Sequence, residues 1–232
     1  MSGVKPRAAA AGEAPRAAAA PAGDDGPPRG RFVVIEGLDG AGTTTQAALL
    51  AEALRERRGL SVELTKEPTN GPVGVVLRQA IEKRVTLDPV TLALAFAADR
   101  ADHLFNPVNG VVAALEAGRW VISDRYVLSS LAYNRGGATS REWVAELNRH
   151  ALAPDLTVFV DVDPEVCVGR IGVRSSAEEL FHSREQLTAI DANYREVIAG
   201  GHVHGPLETV DGSGTIEAVE QAIWSAVERV LG

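Results

Sequence analysis

Phe32-Val33-Val34-Ile35-Glu36-Gly37-Leu38-Asp39-Gly40-Ala41-Gly42-Thr43-Thr44-Thr45-Gln46 is the stretch that decides the architecture. Its first four residues are a continuous apolar run, which predicts a strand buried on both faces. The glycines at 37, 40 and 42 then break the chain, and residues 43–58 carry helical spacing through Ala47, Leu50, Ala51 and Leu54 up to Gly59. Strand, glycine-rich loop and helix in that order form a phosphate cradle. Glycines let backbone N–H groups converge on phosphate oxygens, and the helix N-terminus adds favourable partial charge. The spacing fits G-x-x-x-x-G-K-S/T, except that Thr43 stands at the lysine position. Thr44 keeps the hydroxyl expected beside a metal ion.

Working outward, short apolar segments recur at 60–64, 120–123, 156–162 and 207–210. Between them lie helical patterns at 73–83, 89–118 (interrupted near Asn106-Pro107), 126–134, 139–152, 164–172, 177–199 and 215–231. Strands alternating with helices predict an α/β fold, a P-loop NTPase-type three-layer sandwich with a five-stranded parallel sheet flanked by helices. No internal repeat is present. Residues 1–30 hold ten Ala, five Pro and five Gly, and no bulky apolar residue beyond Met1 and Val4. Such a segment cannot bury enough surface to offset its ordering entropy, so a disordered extension is expected there, ahead of one domain at 31–232. Ala17–Ala20 is too short for a secretory core, and Glu13, Asp24 and Asp25 do not suit a transit peptide.

The 232-residue chain carries 23 basic and 31 acidic residues, a net charge of -8. That balance argues against coating nucleic acid, which needs a basic surface, but leaves room for a small anion held by a few arginines. Cys167 is the single cysteine, so neither an internal disulfide nor a multi-cysteine zinc site is expected. With no apolar run near the roughly 18 residues of a membrane span, a cytoplasmic protein without a membrane partner is expected. His202-x-His204 is too sparse for a metal site, Cys167 reads as a packed helix thiol, and Ile223, Trp224 and Val227 read as a core stripe.

Asp124-Arg125-Tyr126 follows the strand at 120–123, at the carboxyl end where open α/β sheets bind ligands. Arg125 suits bidentate capture of a phosphate. Ser129 and Tyr133 lie one helical turn apart, as do Phe96 and Arg100. Asp124 has two readings, fixing Arg125 or reaching a metal through water.

Taken in order, FVVIEGLDGAGTTTQ (32–46), TKEPTNGPVGVVLR (65–78), LAFAADRADHL (94–104), SDRYVLSSLAYN (123–134) and LTVFVDVDPEVCVGR (156–170) resemble the thymidylate kinases. With the closing helix and strand, the resemblance covers essentially all of 31–232. It implies transfer of the γ-phosphoryl of ATP to dTMP with Mg2+, in a homodimer. By position, Gly37, Leu38, Asp39, Gly40, Ala41, Gly42, Thr43, Thr44 and Thr45 would hold ATP. Thr44 and Asp124 would serve the metal, Asp124 through water. Phe96 would stack on thymine and Arg100 would read its O4 edge. Arg125 would bind the dTMP phosphate beside Ser129 and Ser130, and Tyr133 would crowd C2′. Glu67 and Pro68 match a loop whose preceding arginine is Lys66 here, and Arg78 would face the acceptor. Asp39 would sit between sugar and acceptor phosphate, and the segment 211–219 would border adenine.

One class of the family carries an arginine inside the phosphate loop, and another has glycine there with arginines on a lid. Gly40 points to the second class, with a short lid at about 170–178 and Arg170 and Arg174 as its catalytic cations. Two rival readings follow from the same residues. One is a kinase for other (deoxy)nucleoside monophosphates. The other is a nucleotide-binding homologue that lost catalysis because Thr43 replaces lysine.

Overall fold

The computed structural model describes residues 28–133, 139–171 and 177–231, with the backbone alone for 177–183. Five strands form one parallel sheet in the order β2-β3-β1-β4-β5. They are β1 (Phe32–Gly37), β2 (Val62–Lys66), β3 (Trp120–Asp124), β4 (Leu156–Asp161) and β5 (Leu207–Asp211). The helices are α1 (Thr43–Arg58), α2 (Pro72–Ile81), α3 (Pro89–Phe105), α4 (Val111–Glu116), α5 (Val127–Tyr133), α6 (Arg141–Leu147), α7 (Pro164–Ile171), α8 (Ala177–Ala199) and α9 (Ile216–Leu231). Helices flank the sheet, α1 packing with α9 and α5 and α7 packing on α8.

Burial explains which strands were readable. Every residue of β1 is buried, and so are the first five of β4, whereas the edge strand β2 is only partly covered. Fully burying a Val, Leu, Ile or Phe side chain is worth about 1.5–3 kcal/mol, so Phe32–Ile35 alone makes β1 the spine of the core. Phe32 meets Tyr126 edge to face at 5.2 Å, which fastens the chain after β3 to the start of β1.

The element ends are set by local chemistry. Gly59 closes α1 in the left-handed region and Leu60 donates its N–H to Leu54 O, so β2 starts at Val62, two residues after the apolar run suggested. The long pattern at 89–118 divides into α3 and α4, with Gly110 N bonded to Asn106 O at 2.8 Å. Asp88 caps α3 by accepting from Val90 N and Thr91 N. The segment expected to be helical over 139–152 is helical only from Arg141 to Leu147, between the Ser140 cap and Asn148. At the other end of β1, Gly30 donates to Leu115 O at 2.8 Å, and an added Cβ there would lie 1.8 Å from Arg119 O. Arg29 and Arg31 both pair with Asp155.

From β1 the chain moves outward to β2, while from β3 it crosses over β1 to β4. The crevice at the carboxyl ends of β1 and β3 is therefore the topological switch point, where ligands bind in open parallel sheets. Register brings Ile35 beside Asp124 and Gly37 beside Val160, so the glycine loop and Asp124-Arg125 face each other across it.

Candidate active site

Gly40 and Gly42 both adopt left-handed backbone (φ 85° and 94°), which turns the chain from β1 into α1. Gly42 begins α1 without a side-chain cap. The N–H groups of the first turn therefore have no intrahelical partner, which is the usual basis of an anion site. Thr43 is buried, and its methyl carbon would meet a Cβ on Gly37 at 3.0 Å. The lysine position thus holds a small packed side chain without charge. Thr44 donates to Asp124 Oδ2 at 2.5 Å, while Asp124 Oδ1 is buried with no hydrogen-bond partner. Asp124 is accordingly directed at Thr44, and it is Asp39 that pairs with Arg125. A hydroxyl and a spare carboxylate oxygen fit Mg2+, which takes one or two protein oxygens and completes its shell with phosphate and water. Among the described residues no group of three His, Cys, Asp or Glu could hold a metal alone.

Arg125 sits just past β3 with left-handed backbone (φ 75°). Holding a non-glycine residue there costs roughly 1–3 kcal/mol, and such strain gathers at functional sites. The guanidinium explains what is gained. Its Nη1 donates to Gly37 O (3.0 Å), Ser129 Oγ (3.2 Å) and Tyr133 Oη (3.3 Å), and Nη2 reaches Asp39 Oδ1 at 2.6 Å. Burial alone would depress its pKa. The oxygens of Tyr194 and Tyr133 and the carboxylates of Asp39 and Glu36 outweigh that, so Arg125 is held more firmly protonated than usual. Tyr133 lies against it, with the guanidinium 5.2 Å from the ring centre. Burial pushes the Tyr133 phenol up to about 12 against the pull of Arg125, so it stays neutral and accepts from Asp39 N.

Beneath Arg125 lies Glu36, the only carboxylate in β1 and fully buried. Tyr126 N and Ser129 N donate to its Oε1 at 2.9 and 3.1 Å, and Ser129 Oγ and Tyr194 Oη donate to its Oε2 at 2.5 and 3.2 Å. Those donors match the roughly four lone-pair sites of a carboxylate. Burial raises the Glu36 pKa above its ordinary value, opposed by Ser129, Arg125 and the two backbone N–H groups. Glu36 thereby locks the phosphate-loop strand to the start of α5.

The acceptor side is a cavity of about 400 Å3 lined by Asp39, Glu67, Pro68, Phe96, Arg100, Arg125, Ser129, Ser130 and Tyr133, with Ile81, Leu92, Tyr126 and Gln186. Arg100 is 2% exposed and spans its deep end. It pairs with Glu67 Oε2 through Nη2 at 2.6 Å and Nε at 2.8 Å, donates from Nη2 to Ser130 Oγ at 3.0 Å, and bonds Asn148 Oδ1 through Nη1. His103 holds the other Glu67 oxygen at 3.0 Å and touches Thr65 Oγ1 at 2.8 Å. The Glu67–Pro68 peptide is cis, and Asp99 fastens Thr69 by its N–H and hydroxyl. Arg78, expected to face the acceptor, does not line the cavity. Its Nη1 is drawn to the carbonyls of Pro68 and Thr69, because that loop turns its backbone oxygens toward α2.

On the donor side Arg170 extends from α7 over the loop. Nη1 lies 3.4 Å from both Gly40 O and Ala41 O, and Nη2 lies 3.2 Å from Gly212 O. Gln46 Nε2 holds Ile216 O at 3.0 Å, tying the 211–216 turn to α1. Arg174 and most of the expected lid lie outside the described residues.

The family model for thymidylate kinase matches residues 35–223. The chain belongs to the thymidylate kinase family. A protein of Thermococcus kodakarensis named as a probable thymidylate kinase is 36% identical over 209 residues, covering 87% of this chain and 98% of that one. A probable thymidylate kinase of Pyrococcus abyssi is 36% identical over 208 residues, 88% and 98% of the two chains. The thymidylate kinase of Thermomicrobium roseum is 37% identical over 206 residues, 86% and 95% of the two chains.

Within this family member, the expected Asp39, Arg125, Ser129 and Tyr133 meet in one hydrogen-bonded cluster, and Glu67, Arg100 and Ser130 meet in another. Glu36, Tyr194, Asn148, His103 and Asp99 were not anticipated. A glutamate directly after the apolar run and ahead of the glycine loop was the one available signal for Glu36. His202 is exposed and His204 half-buried, while Cys167, Ile223, Trp224 and Val227 are buried as read.

Proposed function

We propose that this chain transfers the γ-phosphoryl group of ATP to dTMP, giving dTDP and ADP. Family membership supports the reaction. The single observation that supports its seating here is the cavity that runs from Phe96 and Arg100 to Asp39 of the phosphate loop. A pyrimidine stacks on Phe96 with its O4 edge toward Arg100, and the sugar lies under Tyr133, leaving no room for a 2′-hydroxyl. The dTMP phosphate replaces the Asp39 contact or shares Arg125 with it, which puts an acceptor oxygen in line with the γ-phosphorus. A bond forms from that oxygen to the phosphorus, and the bond to the β-phosphate bridging oxygen breaks.

Such transfers depend on positioning and on neutralising charge more than on covalent work by the protein. The loop N–H groups cradle the ATP phosphates, and Thr44 with Asp124 would hold Mg2+, which would supply charge neutralisation for the transferring phosphoryl group. Because Thr43 brings no charge, Arg170 above Gly40 and Ala41 takes the cationic role of the missing lysine, with Arg174 as its lid partner. Lid residues 170–178, a cytoplasmic location and a homodimer belong to the same reading, as does a dispensable extension, which we end at residue 27 rather than at the expected residue 30 because Arg29 pairs with Asp155 and Gly30 bonds Leu115 O. The exposed Val75 and Val76 of α2 and Leu94 and Phe105 of α3 support the dimer, since those helices pack side by side. Among the described residues no helix is long and apolar enough to cross a membrane.

A coupled ADP-release assay with ATP, Mg2+ and a panel of dTMP, dUMP, dCMP and AMP tests the reading. ADP release dependent on dTMP and strongest with it is expected. Release no greater than that without acceptor would overturn it.

A further inference from the structure

We propose that Asn148 is a positioning residue for base selection: through its amide oxygen it fixes the direction of Arg100 Nη1, so that the site takes a pyrimidine with an acceptor rather than an amine at ring position 4. The inference rests on the reading that Arg100 faces the base.

The argument starts from how Arg100 is held. Its Nε and Nη2 both converge on one oxygen of Glu67, Oε2. The second oxygen of Glu67 is occupied by His103. Glu67 therefore cannot form the parallel two-oxygen fork that normally locks a guanidinium in its plane. A contact through one oxygen is a pivot. Ser130 Oγ restrains Nη2 on the pivot side, and the ring of Tyr126, 5.1 Å from the guanidinium carbon, restrains tilt. Swing of the far nitrogen, Nη1, is stopped by Asn148 Oδ1.

Asn148 is itself fixed. It is 4% exposed, and its Nδ2 donates to Val144 O in the last turn of α6 at 2.8 Å. A carbonyl can only accept, so the amide nitrogen must face Val144 and the amide oxygen must face Arg100. The sense of the side chain is set by chemistry. Asn148 is not among the residues lining the cavity, so whatever it does for substrate it does through Arg100.

A guanidinium carries five N–H groups. Among the described residues, Nε–H, both hydrogens of Nη2 and one of Nη1 have partners. The remaining hydrogen is the second on Nη1, the same nitrogen that Asn148 holds. Because the group is planar, fixing one Nη1 hydrogen fixes the other. A donor held in one direction accepts a carbonyl at ring position 4 and opposes an amine there. A swinging guanidinium would tolerate both.

The test measures kcat/KM for dTMP and dCMP with the full chain. In Asn148→Ala the dTMP-over-dCMP ratio should fall roughly tenfold or more, with the KM for dTMP raised and the KM for ATP unchanged. Asn148→Asp loses the bond to Val144 but keeps an acceptor for Arg100, so its ratio should stay within about threefold of the parent. In an Arg100→Ala background, Asn148→Ala should change the ratio no further, because coupled residues are not additive. Asn148→Ser, too short to reach Arg100, serves as a second variant and should lose the ratio as Asn148→Ala does. A parent-like ratio in Asn148→Ala beside a collapsed ratio in Arg100→Ala would overturn the positioning role. So would a loss in Asn148→Asp as large as in Asn148→Ala, which would trace the effect to the end of α6. An unchanged ratio in Arg100→Ala would instead remove the base-reading role of Arg100, and the inference with it.

Discussion

Gly40→Ala tests the joint between the phosphate loop and α7. Gly40 has φ 85°, and an alanine there pays a left-handed backbone penalty of about 1–2 kcal/mol. Its Cβ would also lie 2.7 Å from Cys167 O, 3.2 Å from Cys167 C and 3.0 Å from Ile171 Cγ1. The first two are helix backbone atoms, so the overlap is relieved only by moving α7 or the loop. Overpacking of this kind costs roughly 1–3 kcal/mol. Together the two effects amount to about 2–5 kcal/mol, and at roughly 2–4 °C per kcal/mol for a chain of this size the Tm should fall by at least about 4 °C. The same displacement lifts Arg170, one turn beyond Cys167 on α7, away from Gly40 O and Ala41 O. Thermal melts and steady-state kinetics on the one variant should therefore show a lower Tm together with a lower kcat. A Tm within about 1 °C of the parent, with kcat unchanged, would refute the close packing of α7 on the loop.

Arg170→Ala should lower kcat at least roughly tenfold while the Kd for ATP moves little, as expected of a contact realised mainly in the transition state; equal losses in both would assign Arg170 to simple ATP binding. Glu36 is pushed above its ordinary value near 4.5, so its contribution to stability is fully present below that pH and is lost as pH rises through the folded value. Melts across pH should accordingly show the parent losing ground to Glu36→Gln as pH increases from about 4.5. A gap moving the other way would show that Glu36 gains from ionising in place. Deletion of residues 1–27 should leave Tm and kcat/KM intact, while deletion through Gly30 should lower Tm, because it removes the Gly30–Leu115 bond and the Arg29–Asp155 pair. Equal behaviour of the two truncations would refute the anchoring role of residues 29 and 30.

What the sequence made legible follows from the range of the interactions involved. β1 and β4 could be read because burial on both faces leaves uninterrupted apolar runs, and the phosphate loop because its glycines are dictated by backbone geometry within six residues. The edge strand β2 was displaced because Leu60 is spent on closing α1. The helix after Ser140 was drawn too long because its end depends on Asn148, whose side chain answers to Arg100, 48 residues earlier. Arg125 and Tyr133 were visible as a motif. Their partners Glu36 and Tyr194 were not, since Ser129 meets Tyr194 across 65 residues and no local spacing encodes that meeting. Arg78 shows the converse: its place in a motif suggested a ligand, while its Nη1 lies at the carbonyls of Pro68 and Thr69 and outside the cavity lining.

The wedge of Gly30 against the Arg119 backbone has a practical side. It pins the entry of the chain at the amino end of β1, and a six-residue strand rises about 3.3 Å per residue, so roughly 20 Å separates that anchor from the phosphate loop. Anything appended ahead of residue 28 thus joins the fold at the rear of the sheet, so a surface-bound or fused form of the enzyme would be attached on the side away from its crevice.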